Sequence, residues 1–78
     1  MPRFFFHIRD SESFEVDPEG VEFDSIESAV VDAKAAAREM MADMLRAGER
    51  VDGQRFEIAD EHGKVIEIVP FRSVLNTQ

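Results

Sequence analysis

Residues 24–48, DSIESAVVDAKAAAREMMADMLRAG, decide the fold. Ile26, Ala29, Val30, Ala33, Ala37, Met40 and Met44 recur in steps of three and four, so they share one stripe of a helix. Asp24 or Ser25 can cap its start, Glu27 puts a negative charge in the first turn, and Gly48 can supply the left-handed stop. The pattern predicts a helix over about 25–47, with Ala36 and Met41 flanking the stripe. Alanines 29, 33, 36 and 37 let the backbone come close to whatever the helix covers.

On the N-terminal side, Arg3-Phe4-Phe5-Phe6-His7-Ile8-Arg9 is aromatic and ends at Asp10-Ser11-Glu12-Ser13, a strand followed by a turn. Phe14-Glu15-Val16 and Val21-Glu22-Phe23 alternate apolar and polar. Between them Asp17-Pro18-Glu19-Gly20 has the Pro and Gly placement of a type I turn. A short return strand is therefore expected over about 14–23, with its turn at 17–20.

On the C-terminal side, strands are expected over about 55–60 and 64–71, joined by Asp60-Glu61-His62-Gly63 with Gly63 in a left-handed bulge position. That turn sets Asp60 opposite Lys64, and a regular ladder then pairs Ala59 with Val65, Ile58 with Ile66, Glu57 with Glu67 and Phe56 with Ile68. Phe56, Ile58, Ile66 and Ile68 would form the core face, and Glu57 and Glu67 would need water or cations. Pro70 cannot donate to a ladder and marks an end or an edge. Residues 73–78 read as a frayed tail.

The order is ββαββ: a single α+β domain over residues 1–78, in two layers, with a small antiparallel sheet packed against one long helix. Laid out this way, the chain resembles a family of short, mostly bacterial proteins known as a domain of unknown function and common in soil and plant-associated bacteria. The resemblance rests on Pro2-Arg3-Phe4-Phe5-Phe6-His7, Glu19-Gly20 before the Ala-rich helix, Gly53 to Asp60, Gly63-Lys64-Val65, and Val69-Pro70-Phe71. Members often carry tyrosine in place of Phe4 and a small residue in place of Glu67. The likeness implies the fold and the single-domain organisation, and it transfers no activity, cofactor or catalytic residue.

Composition narrows the function. The chain has 78 residues, no cysteine and a net charge of −8. Without thiols there is no disulfide framework, thiolate zinc site or cysteine nucleophile, and a reducing, cytoplasmic setting is expected. Nothing approaches a membrane span or a signal peptide. The negative charge argues against nucleic acid. Residues 10–24 hold Asp10, Glu12, Glu15, Asp17, Glu19, Glu22 and Asp24 with no base, so this segment carries nearly all the excess.

Candidate chemistry is sparse. His7 and His62 lack ligand spacing, and Asp17 to Glu22 lacks the spacing of a calcium loop. There is no nucleophile elbow or phosphate-binding glycine loop. No enzyme activity, cofactor or metal is expected; a metal-dependent enzyme is the third-ranked reading.

Successive strand residues face opposite ways, so Phe4 and Phe6 on the helix side leave Phe5 on the open side. The acidic loop or the C-terminal tail could shelter it, but the expectation is a second copy, a homodimer. The expected interface is Phe5, His7, Val65, Val69 and Phe71, joined by Met41 and Leu45, where a helix of roughly 34 Å overhangs strands of about 23 Å. The leading function is thus self-association and protein binding. The runner-up is a small regulator holding a basic protein through Asp10, Glu12, Glu15, Asp17 and Glu19.

Overall fold

The computed structural model describes residues 1–75. Strand β1 is Arg3–Arg9, followed by two-residue strands β2 (Phe14–Glu15) and β3 (Val21–Glu22). Helix α1 (Ile26–Arg46) leads to β4 (Arg55–Ala59), β5 (Val65–Pro70) and a short 3-10 helix, Phe71–Val74. The strands form one open antiparallel sheet in the order β2-β1-β4-β5, with β3 pairing the other end of β1 on the same side as β2. The architecture is α+β, one helix on one face of a five-stranded sheet.

The helix is bounded as its sequence requires. Ser25 Oγ accepts the Ser28 N–H at 3.2 Å, capping the N-terminus. At the other end Glu49 N–H reaches back to the Met44 carbonyl across Gly48, which has φ +77°. Its buried row is Ala29, Ala33, Ala37 and Met41, in uniform steps of four. Met41 therefore belongs to the core, not to a free surface, and Met40 and Met44 are only partly buried beside it. Three small alanines let the helix approach most closely along this row, and Met41 continues it. Leu45 is exposed.

Phe4 is buried in the core, and Phe6 and Ile8 pack against it. Phe23 spans the first two, its ring centroid 6.4 Å from Phe4 and 5.9 Å from Phe6. Phe6 also meets Phe56 edge-on at 5.8 Å.

The β4–β5 hairpin departs from a regular ladder. The turn forms as expected: Asp60 N–H bonds the Lys64 carbonyl, and Ala59 pairs with Val65. A bulge then inserts one extra residue, so Ile58 pairs with Glu67, Glu57 with Ile68 and Phe56 with Val69. One residue of slip exchanges the two faces of everything beyond it. Val69 turns into the core, while Ile66 and Ile68, expected inside, are exposed.

Phe71 follows Val69 inward. Its N–H bonds the Gln54 carbonyl at 2.9 Å, its ring sits 5.1 Å from that of Phe56, and it is fully buried. Val74 is buried in the same cluster, so the chain from 71 to 74 closes the core instead of fraying. Residues 76–78 of the expected tail lie outside the described residues. Val69 and Phe71 therefore leave the expected interface for the same reason as Met41: each is used by the protein's own core.

Candidate functional site

The sheet face away from α1 is built by β1, β4 and β5. Cross-strand pairing places Phe5 beside Ala59, His7 beside Glu57, and Arg9 beside Arg55. Ala59 and Glu57 in turn stand beside Val65 and Ile68. The face divides into three parts with different chemistry.

At one end, charges are satisfied internally. The Glu57 carboxylate lies 2.6 Å from Arg9 Nε and 3.5 Å from Arg55 Nη2. Arg9 also stacks over the Phe14 ring at 4.1 Å, and His7 lies 5.4 Å from that ring. Two arginines directly opposite each other would repel, and the buried Glu57 between them removes the conflict. Glu57 has found cations, whereas Glu67 faces the helix side at the mouth of a depression of about 310 Å³ lined also by Val30, Lys34 and Val69.

At the centre, the acidic loop partly covers Phe5. Between β2 and β3 the return chain spends five residues, 16–20, opposite three of β1, so the ladder is interrupted. Asp17 bridges the interruption. Its carboxylate accepts the Phe6 N–H at 3.1 Å on one oxygen, and the Gly20 and Glu19 N–H groups at 3.1 and 3.2 Å on the other. Its own N–H donates to His7 Nδ1 at 3.0 Å. Arg3 fastens the far side by donating to the Glu19 carbonyl at 2.9 Å. Gly20, with φ +70°, lies so close that a Cβ there would stand 2.9 Å from Phe5 Cε2, Arg3 Cγ and the Phe4 carbonyl. Phe5 is thus partly sheltered by its own loop, and it still lines an open depression of about 310 Å³ with Val16, Pro18 and Ala59. His7, half-buried, is part of the same fastening.

This loop consumes part of the acidic segment. Burial pushes the Asp17 carboxyl up, but the N–H donors of Phe6, Gly20 and Glu19, with the nearby His7, outweigh it and leave the group below its ordinary value. Asp10 is lowered by the Glu12 N–H, then by the Ser13 hydroxyl and N–H, in the turn after β1. Of the five acids expected to meet a basic partner, Asp10 and Asp17 bind this chain's own backbone, and Glu12, Glu15 and Glu19 stay exposed. Glu22 forms an ion pair with Arg3 at 3.4 Å.

At the third part, beyond Ala59, the face is aliphatic and open. Val65, Ile66 and Ile68 are 42%, 37% and 49% exposed along β5, the unpaired edge of the sheet. Of the expected interface only Phe5, His7, Val65 and Leu45 retain exposure, and Leu45 lies apart on α1. Ile66 and Ile68 were missed because an aliphatic strand face reads as core when the register is counted without a bulge. The turn before them is closed by Asp60, whose carboxylate accepts the Lys64 and His62 N–H groups and is lowered chiefly by the Lys64 N–H.

Among the described residues, no group of three or more His, Asp or Glu is placed to hold a metal ion, and no helix is long and apolar enough to cross a membrane. The fold defines a class, a single helix across one face of a small open sheet with a loop-interrupted first hairpin. The sequence pattern of a domain of unknown function, DUF6894, matches residues 3–72, and the chain belongs to that family. No curated protein and no solved structure matches it.

Proposed function

We propose that the protein is a non-catalytic module that acts by protein binding and self-associates through the open side of its sheet. The observation that carries this reading is the aliphatic strip Val65, Ile66 and Ile68, side by side and exposed at the free edge, whereas Phe14, the exposed aromatic at the other end of that face, carries the Arg9 guanidinium over its ring. β-Branched residues side by side on a sheet edge favour contact with another surface over contact with water. The test is absolute molar mass by light scattering over a concentration series. Self-association gives a mass rising from 8.9 kDa towards twice that value. A constant monomer mass contradicts it.

A second reading has its own observation: Glu12, Glu15 and Glu19 remain exposed after Asp10 and Asp17 are used within the chain. This surface suits a basic protein partner. Salt separates the two readings, because added salt screens attraction to a basic partner but also screens repulsion between two −8 copies. Capture that weakens with salt supports the basic partner, and self-association that holds or strengthens supports the first reading.

A further inference from the structure

We infer that β5 pairs edge to edge with β5 of a second copy, antiparallel and centred on Ile68, so that two sheets become one. This rests on the self-association proposed above and names its geometry.

The hydrogen-bonding phase of β5 is set by its neighbours. Phe71 N–H points inward to the Gln54 carbonyl, and Pro70, with no N–H, stands opposite Arg55. Alternation along a strand then turns the N–H and C=O of Ile68 away from β4, to the open edge. Among the described residues, the Ile68 N–H is accordingly met by the carboxylate of the adjoining Glu67 alone, at 3.3 Å. An exposed side chain is a replaceable partner for that N–H.

A second β5 fits this edge. About a two-fold axis at Ile68, the two Ile68 residues exchange N–H and C=O. Pro70, which has no N–H and whose carbonyl already accepts the Ser73 hydroxyl at 2.6 Å, falls across from Ile66 of the second copy, and the ladder ends there. Residues opposite each other in an antiparallel pair share a face, so Ile68 meets Ile68 and Ile66 meets Pro70, apolar on both sides. The contact is short, so the dimer is concentration-dependent.

Charge favours this edge over the others. The segment 10–24, with seven acids and no base, lies at the opposite side of the sheet, around β2 and β3. Joining at β5 gives eight strands in a row and places the two β2 strands seven spacings apart, about 34 Å. That is some four Debye lengths at physiological salt, so the acidic segments hardly sense each other. Near β5 the charges are mixed: Lys34 shares a depression with Glu67, Glu27 lies at the next one, and Lys64 and Arg72 flank the strand in the chain.

The chain has no cysteine, so a single introduced thiol reports cleanly. Ile68→Cys should cross-link to its counterpart under mild oxidation, because Cα atoms in such a pair stand about 5.5 Å apart, within disulfide reach. Leu45→Cys, exposed on α1, should not. In the native chain, hydrogen exchange at the Ile68 amide should slow about tenfold or more from dilute to concentrated protein. A dimer that neither links at position 68 nor protects this amide overturns the edge geometry and leaves the proposed self-association standing. A monomer at every concentration overturns both, with Glu67 then the guard of a closed edge.

Discussion

The Asp17 carboxylate accepts the backbone N–H of Phe6 at 3.1 Å, at the point where the ladder between β1 and its return chain is interrupted. One side chain thereby does the work of a missing strand residue, and it also ties the loop that shelters Phe5. Asp17→Ala leaves a half-buried N–H without its acceptor. It should destabilise the fold by about 1–3 kcal/mol, measured by urea unfolding. Asp17→Asn, which keeps an acceptor oxygen, should cost less.

The same contacts set an acid limit. Asp10, Asp17 and Asp60 all have folded-state values lowered from 3.8. A carboxylate lowered on folding contributes stability that is full above its unfolded value and is lost as pH falls through its folded value. Stability should therefore be flat across neutral pH and fall below about pH 4. In Asp17→Ala the fall should be shallower. A fall beginning near pH 6 would assign the dependence to other groups.

Gly20 and Gly48 both have positive φ, yet they predict different losses. A Cβ at Gly20 meets the Phe4 carbonyl and two side chains at 2.9 Å, whereas at Gly48 nothing lies within 4 Å. Gly48→Ala should cost about 1 kcal/mol, the penalty of a left-handed backbone alone. Gly20→Ala should cost more, roughly 1–3 kcal/mol, because the loop must shift off β1. Thermal unfolding of the two variants side by side checks the difference.

The bulge in β5 makes its own prediction. Phe71→Ala empties a fully buried site and should cost about 3–5 kcal/mol. Ile68→Ala, at the open edge, should cost under about 1 kcal/mol. A regular ladder, with Ile68 inside and Phe71 out, predicts the reverse order.

Much of the fold was legible in the sequence. Ser25, Glu27 and Gly48 mark the helix, and Gly63 marks the turn, because caps and left-handed positions are local chemistry. The faces of β5 were not legible, because the bulge between Val65 and Glu67 carries no glycine or polar signal. Alternating Ile66 and Ile68 look the same whether they face a core or an open edge. The Asp17–Phe6 contact was also hidden. Asp17-Pro18-Glu19-Gly20 announces a turn, but not that its carboxylate reaches a strand eleven residues earlier. The motifs Arg3 to His7 and Glu19-Gly20 nonetheless prove to be one structural cluster, joined by Arg3, Asp17 and Gly20.

The most direct test of the central claim is absolute molar mass in solution for the native chain and for Ile68→Lys, each over a concentration series. Ile68 is about half exposed and stands outside the buried cluster, so the variant should unfold like the native chain. The native mass should approach about 18 kDa at high concentration, and the variant should stay at 8.9 kDa. A native chain that stays at 8.9 kDa, or a dimer indifferent to lysine at position 68, would contradict the claim.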